Sequence, residues 1–323
     1  MVDVARHAGV SLKTVSRVIN NEPHVQQALI DRVQASAAEL GFRPNRLASA
    51  LRSGHQTATI GLLIEEIANP FYATIADVVA EVARAHDTLL ITASSEEDPA
   101  REQQLLRDLC GRRVDGLLVV PAAYDHSFLR AEVDMGIPVV FLDRPAGGLL
   151  ADTVLLDNRG GSRLGVQRLI DQGHRRIAIL LDSVGVYTML ERLGGAQEAL
   201  SAAGIPYDQS LVRNGVRDPL TAAAAVGELL ELPDPPTAFF CLNNRITVGA
   251  LQELWERRSD AGLIGFDDFE LSHLMPRPVT VIAYDTRALA RQAADLLFER
   301  IKGGSSWTRT VVVPTTLIDR GLS

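Results

Sequence analysis

Nine side chains of this 323-residue chain could together hold a polyhydroxylated ligand. Phe71 and Tyr72 offer flat faces to a sugar ring or a base, Arg144, Arg192 and Arg217 donate hydrogen bonds, Asp267 accepts them, and Thr188, Asn243 and Tyr284 do both. Hydroxyl groups need donors and acceptors together, so this mixture suits a carbohydrate. A second set lies near the start. Leu12, Lys13, Thr14, Ser16 and Arg17 bring basic and hydroxyl groups to one short stretch, the chemistry that meets phosphates and base edges. Catalytic patterns are missing: there is no G-x-S-x-G elbow, no Walker A loop and no G-x-G-x-x-G after a strand. The seven histidines show no metal-ligand spacing. No enzyme, no cofactor and no metal site is therefore expected.

The elements that must position the second set come first in the chain. Residues 3–20, DVARHAGVSLKTVSRVIN, read as two short helices around a tight turn. Gly9 stands where a helix end needs a left-handed residue. Ser11 can cap the second helix, whose Val15, Val18 and Ile19 share an apolar face. This describes a helix-turn-helix that enters the DNA major groove, or else an ordinary helical hairpin on an enzyme surface. A third helix is expected over Val25–Leu40, with Val25, Leu29, Val33 and Leu40 inward and Gly41 ending it. Pro44 then stops any helix and Asn45 can cap a new one. Arg46 to Arg52 makes only about two turns, too few to stand alone in water.

From Thr59 the pattern alternates. Apolar runs at 59–64, 88–93, 115–121 and 137–142 are separated by helical stretches such as Thr74–His86 and Ala100–Cys110. After Asp157 come a helix over 160–172, the strand RRIAILL, a helix over 191–203, the strand AFFCL, a helix over Ile246–Arg257 and the strand GLIGF. Strands apolar throughout, with helices between them, give parallel sheets covered on both faces. Ligands of such sheets bind beyond the strands' C-terminal ends, which is where the nine candidate residues fall. Two of them keep an alternative: Asp267 could cap a following helix, and Arg192 could form a surface ion pair. Gly160-Gly161 and Gly194-Gly195 look phosphate-friendly but more simply let helices pack closely.

Composition sets outer bounds. With 46% hydrophobic residues the chain can bury substantial cores, in two or three domains. Residues 1–57 hold seven basic against four acidic residues, a net +3; the whole chain carries −8, so the remainder carries −11. A basic head on an acidic body suits a protein that meets DNA with one end. No apolar run approaches the roughly 18–20 residues of a membrane span, and no signal peptide opens the chain, so a cytoplasmic protein is expected. Cys110 and Cys241 read as reduced core residues.

The order of several strings carries a resemblance. DVARHAGVS, TVSRVIN, ELGFRPNRLASALRSG, IGLLIEEIANPFY, RRVDGLLVVP, IPVVFLDRP, DNRGGSRLGVQRLIDQGHRRIAIL, ERLGGAQEALSAAGI, LNNRITVGAL, IGFDDFEL and PTTLIDRGLS span nearly the whole chain. In that order they resemble the lactose-repressor/galactose-repressor (LacI/GalR) family of bacterial transcription regulators. The resemblance implies an α/β chain: a three-helix helix-turn-helix head plus hinge helix, then a two-lobed core of parallel sheets of the periplasmic-binding-protein type. The chain would cross between lobes three times. Residues 1–57 would be the head, with the hinge at about 45–53. Lobe one would span about 58–156 and 285–316, and lobe two about 157–284 and 317–323. The implied function is a repressor whose operator affinity is set by a small molecule, a sugar or sugar derivative, held between the lobes.

By the same resemblance Leu12, Lys13 and Arg17 would read bases, while Thr14 and Ser16 hold phosphates. Leu51 would wedge between base steps in the minor groove, Ala48 would let two hinge helices approach, and Asn45 and Arg52 would complete the hinge's DNA contacts. Arg192 matches the arginine of the family's R-L-x-G motif, and Asp267 the aspartate of its G-[YF]-D motif. Val186 and Arg217 depart from purine-sensing relatives, and Asn244 replaces a usual aspartate. Only Met1-Val2 precede Asp3, where relatives carry a Thr or Ser cap, so the first helix is expected to lack one, and a misassigned start codon is an open alternative. No leucine-heptad tail follows Pro314, so a homodimer on a palindromic operator is expected. Leu51→Ala is predicted to keep salt-sensitive nonspecific binding and lose operator preference. Unchanged discrimination between operator and random DNA in a titration would refute the wedge.

Overall fold

The computed structural model of the protein describes residues 1–19, 23–42, 57–270, 272–274, 279–304 and 307–320. The chain divides into two compact units, Met1–Thr57 and Ala58–Ser323. The hinge expected at about 45–53, with Asn45, Ala48, Leu51 and Arg52, lies outside the described residues.

The first unit holds α1 (Val2–His7), α2 (Leu12–Ile19) and α3 (Gln27–Glu39). Val4, Ala5, Ala8, Val15, Val18 and Val33 form its buried core. Two glycines end helices by one device. Gly9 (φ 61°) and Gly41 (φ 58°) are left-handed. Past each, the next amide reaches back to close the helix: Val10 N–H donates to Ala5 O at 3.0 Å and Phe42 N–H to Ala37 O at 2.8 Å. Ser11 Oγ accepts from Thr14 N–H at 3.1 Å, capping α2. No side chain caps α1. The inward stripe of α3 differs from the expected one. Val33 is buried, with Ile30 and Ala37 packed beside it, whereas Leu40 is 46% exposed. The helix stops at Glu39, so Leu40 falls out of its phase, and Phe42 packs in its place.

The second unit carries two six-stranded sheets. The first combines β1 (Thr59–Ile64), β2 (Leu89–Ser94), β3 (Leu117–Val119), β4 (Val139–Leu142), β5 (Asp152–Leu156) and β11 (Thr310–Val313). Their order is β11-β5-β4-β3-β1-β2, parallel throughout. The second combines β6 (Ile177–Leu180), β7 (Val212–Arg213), β8 (Ala238–Cys241), β9 (Gly262–Phe266), β10 (Thr280–Tyr284) and β12 (Thr315–Ile318), in the order β12-β10-β9-β8-β6-β7. Helices α4 (Pro70–Ala85), α5 (Pro99–Gly111), α6 (Arg130–Asp134) and α11 (Thr286–Ile301) belong to the first lobe. Helices α7 (Asn158–Asp171), α8 (Tyr187–Ala202), α9 (Pro219–Leu230) and α10 (Asn244–Glu256) belong to the second. Cys110 and Cys241 are unpaired and buried. Among the described residues no helix is long and apolar enough to cross a membrane.

One departure from parallel sheets has a simple cause. β12 pairs antiparallel with β10. Only Pro314 separates it from β11. The C-terminal edges of the two sheets face each other, so a strand leaving one and entering the other directly must run against its new neighbours. The strand β5 and helix α9 were not marked by the sequence pattern. DTVLL carries polar residues at its start, and the alanine run of α9 has little amphipathic contrast.

The paired glycines serve packing. A Cβ on Gly195 would lie 2.1 Å from the carbonyl oxygen of Arg159 on α7, and one on Gly161 2.6 Å from the Thr315 hydroxyl. Gly195→Ala is therefore predicted to destabilise the core by about 1–3 kcal/mol through overpacking, outweighing the ~0.5–1 kcal/mol that alanine gains in a helix interior. A urea midpoint at or above the parent's would refute close approach as the reason for this glycine.

Candidate functional site

The cleft between the two sheets collects all nine ligand candidates read from the sequence: Phe71, Tyr72, Arg144, Thr188, Arg192, Arg217, Asn243, Asp267 and Tyr284. Each stands at or beyond a strand's C-terminal end, on a loop or the first turns of the following helix. Backbone strain marks the same edge. Glu96 (φ 55°), Glu97 (φ 59°), Asp143 (φ 68°) and Asp267 (φ 69°) are left-handed without being glycine. Such positions cost of order 1–3 kcal/mol each and are held by their surroundings. Here they follow β2, β4 and β9 and turn Glu97, Asp143 and Asp267 into the cleft.

Arg192 is buried, which removes the surface-pair alternative. Its Nε donates to Asn158 Oδ1 at 2.8 Å, and Nη1 donates to Leu242 O at 2.6 Å and Asp267 Oδ2 at 3.1 Å. Nη2 completes a forked pair with Asp267 Oδ1 at 3.1 Å, and the guanidinium lies 3.7 Å from the Phe266 ring centroid. Tyr284 donates to Asp267 Oδ1 at 2.8 Å, and burial pushes its phenol well up. Among the described residues no helix begins directly after Asp267, so it caps none.

The opposite wall is built on Arg144. Its Nη1 donates to Pro121 O at 2.8 Å and to Glu97; its Nη2 donates to Glu65 Oε2 at 2.6 Å and Glu97 Oε2 at 3.0 Å. Tyr72 donates to Glu65 Oε2 at 2.7 Å. Burial, then the hydrogen bond with Glu97, pushes the Glu65 carboxyl up to about 8. Burial also works against Glu97, but the Arg144 guanidinium outweighs it and holds this carboxylate below its usual range. Glu65 thus keeps the proton the pair shares. Asp143, fully buried, is raised by the loss of water.

Besides the edge-on rings of Phe71 and Tyr284, two hydrogen-bonded contacts span the cleft. Arg245 donates to Glu66 at 3.0 Å, and the Tyr124 hydroxyl to Gly185 O. The loop bearing Tyr124 is fixed from behind by buried Glu102, which pairs with His126 Nε2 at 2.5 Å and accepts from the amides of Ala122 and Ala123. Arg217, mostly exposed, reaches Asp182 at 3.2 Å. Asn243 spends its side-chain oxygen capping α10, accepting from Ile246 N–H at 2.9 Å, so it faces the cleft as a cap first. Sequence reasoning missed Glu65, Glu97 and Asp182. Their signal was available, since each stands within three residues of a strand's end. Among the described residues no group of three His, Cys, Asp or Glu is placed to hold a metal ion.

In the head, Leu12 and Lys13 are exposed at the start of α2, while Thr14, Ser16 and Arg17 are half-buried. Arg17 Nη2 donates to Pro23 O at 3.1 Å.

The chain matches two family descriptions. "Bacterial regulatory proteins, lacI family" covers residues 1–45, and "Periplasmic binding proteins and sugar binding domain of LacI family" covers residues 57–320. It is 34% identical to the HTH-type transcriptional regulator CelR of Thermobifida fusca, over 98% of this chain and 96% of that one. It is 30% identical to the HTH-type transcriptional repressor PurR of Vibrio atlanticus (strain LGP32), over 98% and 96%. The crystal structure of the Lac repressor dimer bound to operator and the anti-inducer ONPF superposes with a TM-score of 0.86 at 26% identity, covering 98% of this chain and 96% of that one.

The Glu65 carboxyl gives a pH signature. Folding raises its pKa from 4.5 to about 8, so the folded chain binds this proton more tightly than the unfolded one. Its contribution is full below pH 4.5 and is lost as pH rises to about 8. Glu97, lowered, acts with the opposite sign, at pH values below that window. Glu65→Gln should therefore flatten the fall in melting temperature over that window. Parallel profiles for the two proteins would refute a protonated Glu65.

Proposed function

This chain belongs to the LacI family of bacterial regulatory proteins, and from that premise we propose that it is a dimeric transcription repressor controlled by a small carbohydrate. The observation that carries the reading is the convergence of nine sequence-distant polar and aromatic side chains on one cleft, in a chain that opens with a helix-turn-helix. Residues 1–57 read the operator; residues 58–323 bind the effector and pair the protomers. Lys13 and Leu12 stand exposed where α2 begins, a basic donor for a purine edge and an apolar side chain for a thymine methyl. None of the cleft groups is assigned a catalytic step, and the protein is read as a regulator rather than an enzyme.

A polyol fits the cleft because its hydroxyls can donate to Glu65, Glu97 and Asp267 while accepting from amides and Thr188. An aromatic platform is available at Phe71, which packs edge-on against Tyr72 and Tyr284 at 5.0 Å and 5.8 Å between ring centroids. A ligand between the lobes bears on the cross-cleft contacts Glu66–Arg245, Tyr124–Gly185 and Phe71–Tyr284, and so on the angle between lobes. Coupling of this kind is typically about 1–3 kcal/mol.

The pairing surface is read from an apolar groove beside the cleft. It is lined by Phe71 and Thr74 at the start of α4, Val248, Leu251 and Trp255 on α10, and Phe269. Trp255 is 59% exposed. A second copy of the chain, bringing its own head to the other half of a palindrome, is the occupant we assign.

Selection of bound fragments from genomic DNA tests both assignments. The native chain is expected to recover a palindrome. The double variant Val248→Asp, Trp255→Arg is expected to sediment as a monomer and to bind that palindrome at least roughly a hundredfold more weakly, since two linked heads bind by avidity. Enrichment without a palindrome, or a dimeric variant, would overturn the reading.

A further inference from the structure

The charges of the cleft narrow the class of ligand, on the premise that the cleft is the effector site. Its described lining holds four guanidiniums, of Arg144, Arg192, Arg217 and Arg245, against six carboxyls, of Glu65, Glu66, Glu97, Asp143, Asp182 and Asp267. Every one of the four is already paired: Arg144 with Glu65 and Glu97, Arg192 with Asp267, Arg217 with Asp182, and Arg245 with Glu66. With one proton on Glu65 the acids still outnumber the bases. The deep pairs also turn their acidic member outward. The Arg144 side chain is 8% exposed against 27% and 34% for Glu65 and Glu97, and Arg192 is 4% exposed against 17% for Asp267. At these two deep pairs a ligand therefore meets oxygens, with the guanidiniums behind them; at the shallower pairs the base is the more exposed member, Arg217 at 77% against 32% for Asp182 and Arg245 at 46% against 37% for Glu66.

Phosphate and carboxylate groups are recognised by forks of N–H donors, with Arg the usual supplier. Here the deep forks of Arg144 and Arg192 are spent on protein carboxylates, and an anion added there would be desolvated beside them. Three elements favour anions: the exposed Arg217 and Arg245, each shared with a carboxylate, and α8, which opens at Val186 without a side-chain cap and lines the cleft with Thr188 and Met189 of its first turn. A hydroxyl can satisfy both walls, donating to the carboxyl pair and accepting from the first turn of α8. A phosphate can satisfy only the second.

We infer that Glu65 and Glu97, held by Arg144 and Tyr72, anchor a ligand that presents adjacent hydroxyl or ammonium donors and carries no phosphate or carboxylate. Neutral sugars and amino sugars share this chemistry; sugar phosphates and nucleotides lack it. Arg144 acts as a positioning residue, aiming the two acids, and touches the ligand only through them.

Thermal shift and titration of the full-length protein test this with matched probes: ribose and ribose 5-phosphate, glucose and glucose 6-phosphate, glucosamine, cellobiose, and inorganic phosphate against chloride at equal ionic strength. At least one neutral or amino sugar is expected to bind, at least about tenfold more tightly than any phosphorylated counterpart. Glucosamine binding better than glucose would assign the anchor to an ammonium, the reverse to a hydroxyl. Inorganic phosphate is expected to leave the native melting temperature unchanged. Glu97→Gln should weaken the sugar by about tenfold or more. Glu65→Ala, which removes the other anchoring carboxyl, should also weaken the sugar by about tenfold or more, a result that stands even if Glu97→Gln does not fold. A phosphate or sugar phosphate that stabilises the native chain overturns this inference alone. Binding of no probe, with a palindrome still selected from DNA, overturns it together with the carbohydrate reading but leaves the repressor reading intact.

Discussion

Arg192 is the group on which the geometry of the second lobe depends. One buried guanidinium touches the start of α7 through Asn158, the end of β8 through Leu242 O and the residue after β9 through Asp267, and covers the Phe266 ring. A buried charge is costly unless every donor is met, and this one is met by two carboxylate oxygens, an amide and a carbonyl. The arrangement forces strand ends that are distant in sequence to sit in one fixed relation. Asp267 then passes the constraint to Tyr284 at the end of β10. Removing either partner would leave a charge stranded away from water, so the pair works as a unit whatever occupies the cleft.

Arg144 repeats the device in the first lobe with a different outcome. It gathers Glu65 from the end of β1, Glu97 from the turn after β2 and the Pro121 carbonyl after β3. Acids crowd this one base, Asp143 also lying 3.8 Å from its Nε, and burial decides that Glu65 carries the proton it shares with Glu97. The two walls of the cleft are thus alike in construction, an arginine fastening strand ends, and unlike in what they display: a forked arginine–carboxylate pair on one side, two carboxyls that share a proton on the other.

Much of this was legible in the sequence, for identifiable reasons. Gly9 and Gly41 marked helix ends because left-handed backbone has few other tenants. Strands buried on both faces announced themselves as unbroken apolar runs, and the rule that ligands sit past such strands selected nine residues that share one cleft. The phase of α3 was misjudged because its helix ends a residue before Leu40, and periodicity carries no information on where a helix stops. The direction of β12 was hidden because it follows from which sheets face each other. Glu65 and Glu97 passed unnoticed because acids after a strand look like solvated surface. Only Arg144, 79 residues after Glu65 and 47 after Glu97 and brought beside them by the sheet order, makes them a pair. Asn243 was found for a ligand role and is held first by its helix, since one amide can serve a cap and a cleft.

The three passages between lobes lie side by side. Val313 pairs with Leu156 in one sheet and Thr315 with Tyr284 in the other, and Asp157 bonds to both Val313 and Thr315. Three neighbouring straps behave mechanically as a door hinge does. They leave rotation about the line through them and resist torsion around the long axis of the core. Opening of the cleft is then close to a motion with one coordinate, and whatever fills the cleft can report its presence only as an angle.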